Sequence, residues 1–173
     1  GQPGPRGASG AELADLSGVT HLATSPSGDG FVAYASGSGR VTVYAIRDGA
    51  PHLERSYSVS LSAPVSRIAL ADGLKDPALL TRDSSGSSVL RASGDGLRTV
   101  AVLPGATEVT FLRGSERALI LDAAQNAVYE ADLALRNPSL ALVASSAQGI
   151  DAPVGLAVSD DNRTVAVASA ANR

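Results

Sequence analysis

The chain has no cysteine, no methionine and no tryptophan among its 173 residues. Without cysteine there is no disulfide, no thiolate nucleophile, no Fe–S cluster and no Cys-ligated zinc. Two histidines leave little for a His-based metal site, so neither a metal nor another cofactor is expected. Aromatic residues make up only 3% of the chain, four Tyr and two Phe, so the core has to be aliphatic. An excess of positive charge is also missing. Lys and Arg number 14 against 17 Asp and Glu, the net charge is −3 and the pI is near 5.3. That balance carries no electrostatic footprint for nucleic acid or for an anionic membrane surface. No apolar run approaches the roughly 20 residues that span a bilayer, so no membrane insertion is expected.

What is present describes a globular unit: 44% hydrophobic and 18% charged residues at a length that can bury a core. Gly1 to Gly10 holds four Gly and two Pro and is expected to be a flexible lead-in. From residue 11 to 173, short segments rich in Val, Leu, Ile, Ala and Tyr alternate with Gly, Ser, Asp and Asn clusters every eight to twelve residues or so, the pattern of an all-β fold. The start at Gly1 and the lack of Met lead us to expect a processed, tagged or excised piece, which leaves room for a signal peptide removed upstream.

Self-similarity narrows the fold. His21-Leu22-Ala23-Thr24, Arg67-Ile68-Ala69-Leu70, Glu108-Val109-Thr110-Phe111 and Gly155-Leu156-Ala157-Val158 line up at intervals of 41 to 47 residues. Each is followed by a polar turn and an apolar strand, namely Phe31 to Ser36, Pro77 to Thr81, Arg117 to Leu121 and Thr164 to Ala168. A third strand (Val41 to Ile46, Val89 to Ala92, Ala127 to Leu133) and a fourth (Leu53 to Leu61, Leu97 to Leu103, Leu140 to Ser146) precede the next repeat. Four antiparallel strands per repeat is the arithmetic of a β-propeller blade, and an eight-strand sandwich would not repeat that order in register. About three and a half blades are expected, starting near residues 19, 65, 106 and 153, with an orphan outer strand at Glu12 to Leu16. A half-blade leaves a strand edge open, so either the polypeptide continues past Arg173 or two copies complete each other's ring.

Pro153-Val154-Gly155-Leu156-Ala157-Val158-Ser159-Asp160-Asp161-Asn162 followed by Thr164-Val165-Ala166-Val167 resembles the YVTN-type bacterial propeller repeat, as does Ser25-Pro26-Ser27-Gly28-Asp29-Gly30 before Phe31-Val32-Ala33-Tyr34. The repeats from Arg67 and Glu108 depart from that pattern in their turns. NHL-like and lactonase-like propellers are neighbouring classes. The resemblance implies the architecture and, because such repeats are frequent in surface and secreted proteins, an extracytoplasmic location.

Three kinds of position are candidates for function. The residue opening each inner strand sits at the channel mouth of a propeller: His21, Arg67 and Glu108, with Gly155 in the fourth repeat. A His, an Arg and a Glu converging there offer different donors and acceptors to one polar ligand. Loops on the same face bring Asp83, Asn126 and Asp151 nearby, although Asn, Asp and Ser are also what tight turns require. On the opposite face Asp160-Asp161-Asn162 and Asp72-Gly73 lack the alternating carboxylates of a calcium loop and fit turn punctuation better. No catalytic residue is assigned, since no nucleophile elbow, zinc-protease or phosphate-loop motif is present. The sequence therefore points to a non-catalytic scaffold that binds a protein or peptide or self-associates through its open blade edge. The alternatives are a lactonase-like enzyme with a polar channel-mouth site, and a half-ring that exists to oligomerise.

Overall fold

The computed structural model describes residues 14–170. The Gly1 to Gly10 lead-in, and Glu12 and Leu13 of the expected orphan strand, lie outside the described residues, whereas Ala14 to Leu16 form no strand. The fold is all-β and built as propeller blades. The first blade contains β1 (His21–Thr24), β2 (Gly30–Ala35), β3 (Arg40–Arg47) and β4 (Ala50–Ser58). The second contains β5 (Val65–Ala69), β6 (Ala78–Asp83), β7 (Gly86–Ser93) and β8 (Gly96–Val102). The third contains β9 (Ala106–Phe111), β10 (Arg117–Asp122), β11 (Ala127–Asp132) and β12 (Ala141–Ala144). A fourth, two-stranded sheet pairs β13 (Pro153–Val158) with β14 (Val165–Ser169). In every sheet the strands lie side by side in chain order, each antiparallel to the next.

Alternating side chains explain why these sheets stack. On β2 and β3, Val32, Tyr34, Val41 and Val43 point to one side and meet Ile68, Leu70 and Leu79 of the second blade. Ala69, Leu80 and Val89 leave the other face of that blade to meet Val109, Phe111 and Ile120 of the third. Leu119, Leu121 and Val128 then meet Leu156, Val165 and Val167 of the fourth. The core is thus three apolar layers between successive sheets, each strand contributing every second residue. One comparison shows what stacking buries: Ile68 and Val109 are 7% and 5% exposed, while Leu22, their counterpart on the first inner strand, is 56% exposed. Among the described residues no sheet packs on that face of the first blade, and no third strand pairs with β14.

Strand ends differ from expectation where turn chemistry decides. Asp48 and Gly49, with φ of 53° and 75°, form a two-residue hairpin turn, so pairing starts at Arg47 with Ala50 and β4 begins three residues before Leu53. Pro51 is tolerated because β4 is an outer strand, where a missing N–H breaks no ladder. After β12, Ser145 caps a short 3₁₀ turn, Ser146–Gln148, its side chain accepting from Ala147 N–H while Gln148 reaches back to Ser145 N–H; this ends the strand before Ser146.

Candidate functional site at the channel mouth

The inner strands β1, β5, β9 and β13 run next to one another, and their first residues open on one face, here called upper. Register places His21, Arg67, Glu108 and Gly155 at equivalent points, opposite Tyr34, Leu80, Leu121 and Ala168 of their second strands. The structure joins Arg67 to Glu108 and sets His21 within the field of the Arg67 charge. Arg67 Nε donates to both oxygens of Glu108 at 3.1 Å, bridging the second and third blades, and Arg67 Nη1 donates to Ser66 O at 2.9 Å. Nη2 has no partner among the described residues. His21 lies against the Tyr34 ring, its Nδ1 2.9 Å from Thr20 Oγ1. Burial first, and the Arg67 charge second, hold the His21 ring below its ordinary pKa and so favour its neutral form. Burial alone pushes the Tyr34 hydroxyl up. The cluster therefore joins a neutral imidazole to a neutralised ion pair that keeps a guanidinium donor.

The other three candidates find their hydrogen-bond partners outside this cluster. Asp83 accepts from the N–H and hydroxyl of Ser85 at 2.8 and 2.6 Å, and those bonds hold its carboxyl below the usual range. Asn126, at φ 51°, accepts from Ala152 N–H at 3.0 Å and ties the β10–β11 turn to the loop before β13. Asp151 is exposed and contributes its backbone carbonyl, which accepts from Ser169 Oγ.

The lower face holds groups that reading along the chain does not reveal. Asp72 Oδ1 accepts from Ser27 N–H at 2.8 Å and its Oδ2 from Gly114 N–H at 2.7 Å, so one carboxylate links three blades. Asp29 Oδ2 accepts from Gly73 N–H at 2.8 Å, and the Asn162 amide exchanges two bonds of 2.9 Å with the backbone of Arg113. Partial burial pushes the Asp72 carboxyl up, but its N–H donors from Ser27 and Gly114, the Ser27 side chain and Arg113 outweigh it and hold the group below its ordinary value. Arg91, whose side chain is 3% exposed, donates to Leu133 O at 2.8 Å, to Asp76 O at 3.0 and 2.5 Å and to Glu116 at 2.9 Å, while lying over the Phe111 ring. The signal for Arg91 was present: a charge two residues after Val89, on the inward side of a central strand. Among the described residues no three His, Cys, Asp or Glu side chains group closely enough to hold a metal ion.

No family model matches the chain, and no curated protein matches it in sequence. Solved structures do match in fold. The Cps50 (Swd1) β-propeller domain of Myceliophteria thermophila superposes with a TM-score of 0.56 over 87% of this chain at 17% identity. Hydrazine synthase of Kuenenia stuttgartiensis gives 0.58 over 89% at 15% identity. A putative 6-phosphogluconolactonase from Bacteroides uniformis gives 0.51 over 87% at 13% identity. The chain spans 49%, 42% and 47% of the lengths of those proteins. At these identities the likeness establishes a β-propeller and nothing about chemistry.

Proposed function

We propose that this chain is a non-catalytic binding module, a YVTN-type propeller segment of a larger bacterial surface or secreted protein that presents its upper face to a protein or peptide. The observation that supports this reading best is the Arg67–Glu108 pair. It stands at matching positions of adjacent inner strands and keeps Arg67 Nη2 for an incoming carbonyl or carboxylate. On the lower face the polar side chains of Asp72, Asp29 and Asn162 are committed to neighbouring turns. A propeller domain such as that of Cps50 is a precedent for the fold of such a module.

The test is a peptide array probed with the wild-type chain and with an Arg67→Ala/Glu108→Ala double variant. Binding by the wild type that falls at least about tenfold in the variant fits the proposal. Binding that survives unchanged moves the interface away from the channel mouth. A lactonase-like hydrolase is the second reading, favoured by the neutral His21 ring beside the ion pair as a ready base. Turnover of a sugar lactone that is lost in His21→Ala would establish it in place of the binding module.

A further inference from the structure

Between the first and second blades the upper face opens into a cleft of 530 Å³, within the size range of small-molecule sites. It lies beside His21 and between the β2–β3 turn and the loop joining β4 to β5. Its polar lining is His21, Tyr34, Ser36, Ser38 and Ser62; Val59 and Pro64 are among its apolar lining. No Asp, Glu, Lys or Arg lines it. Gly39 shapes it: at φ 73° a Cβ there would stand 2.3 Å from Val59 O, so only glycine lets the turn approach the loop this closely.

We infer that this cleft is a separate subsite for an uncharged, hydroxyl-bearing ligand, which donates a hydrogen bond to Nε2 of His21. The argument starts at Thr20. Its hydroxyl has one hydrogen, and Tyr34 O stands 3.2 Å away to accept it. Ser36 N–H already donates to Thr20 Oγ1 at 3.2 Å. With that hydrogen given to Tyr34 O, Thr20 Oγ1 meets the His21 ring at 2.9 Å as an acceptor, and the ring carries its proton on Nδ1. Nε2, without a partner among the described residues, is left with its lone pair. A cleft with an acceptor nitrogen, serine hydroxyls that both donate and accept, aliphatic walls and no formal charge matches a polyol. A carboxylate or ammonium would lose its hydration there without gaining a counter-ion. Thr20 is the positioning residue.

The inference does not depend on the Arg67–Glu108 interface, and the experiment separates the two. Long-range ¹H–¹⁵N correlation spectra of the wild-type chain, with His21→Phe to assign the ring against His52, read the tautomer directly. The proton is expected on Nδ1; a ring protonated at Nε2 overturns the inference. The same spectra then follow titration with myo-inositol, glucuronate and N-acetylglycinamide. Myo-inositol is expected to shift the His21 ring saturably in the millimolar range, with affinity reduced about tenfold in His21→Phe and by less than about threefold in Arg67→Ala. No shift with myo-inositol, equal binding of glucuronate, or a shift with the amide alone overturns the assignment. In Thr20→Val, if folded, the Nδ1–H preference is expected to fall. If that variant unfolds, the wild-type tautomer and the titration still decide.

Discussion

On the lower face Asp72 has both carboxylate oxygens engaged by backbone N–H groups of two other blades, and Arg91 has its guanidinium surrounded by acceptors. On the upper face Arg67 keeps Nη2 and His21 keeps Nε2 without a partner among the described residues, although both sit on the rigid inner strands. The two faces draw on the same residue types, so composition cannot separate them. What differs is how fully each side chain's polar atoms are engaged, since the upper-face Arg67–Glu108 pair also crosses a seam. Lower-face turns reach across the seams between blades and are closed by side chains more than forty residues away in sequence. Groups on that face hold the blades together, while groups on the other are held in place and remain able to bind.

Breaking the seam should have the largest effect. Arg91→Ala removes a buried guanidinium and leaves the carbonyls of Asp76 and Leu133 and the Glu116 carboxylate facing a void, a loss of about 3–5 kcal/mol read by urea unfolding. Arg91→Met keeps volume over Phe111 and should be less damaging. Asp72→Ala comes next at about 2 kcal/mol, since two charge-assisted bonds disappear together. Its pH dependence has a definite sign. The folded Asp72 carboxyl lies below its ordinary value, so its contribution is complete above the unfolded pKa of about 4 and is lost as pH falls through the folded one. The wild type should lose stability over that acidic window, and Asp72→Asn should show a flatter profile there. A variant as acid-sensitive as the wild type would assign the window to other carboxylates.

The upper face should show the reverse balance. Arg67→Ala removes a half-exposed ion pair and is expected to change stability by less than about 1 kcal/mol while lowering partner affinity about tenfold. A large loss of stability would put the Arg67–Glu108 pair with the seam groups and end the comparison.

How much of this was legible follows from the range of each interaction. Blades were visible because alternation along a strand and turn residues between strands are local: Val41 and Val43 announce a buried face whatever packs on it. The equivalence of His21, Arg67 and Glu108 was visible too, since the repeat carries it in register. The start of β4 was misplaced because Pro51 and His52 are weak strand formers, and the Asp48-Gly49 turn overrides them. The seam bonds were hidden for a different reason. Asp72 reads as an ordinary turn aspartate until the backbone N–H groups of Ser27 and Gly114 arrive from other blades. Thr20 was hidden likewise, because its partners Tyr34 and Ser36 are brought to it by strand pairing.

Asn126 is the position at which the comparison can be sharpened most finely, since it lies on the upper face yet acts as a lower-face group does. Its side chain accepts from Ala152 N–H, and its backbone adopts φ 51°, which glycine tolerates freely and alanine does not. Asn126→Gly loses the hydrogen bond but relaxes the backbone, so a net change within about 1 kcal/mol is expected. Asn126→Ala loses the bond and adds strain, and should be the less stable of the two by about 1 kcal/mol in paired urea melts. Equal stability of both variants would mean that the turn adjusts and that Asn126 matters only for its bond to Ala152. If, in addition, the glycine variant binds peptide or polyol as the wild type does, Asn126 is a seam residue placed among binding residues. Position on a face then does not assign a role, and the partners that the fold brings to each side chain do.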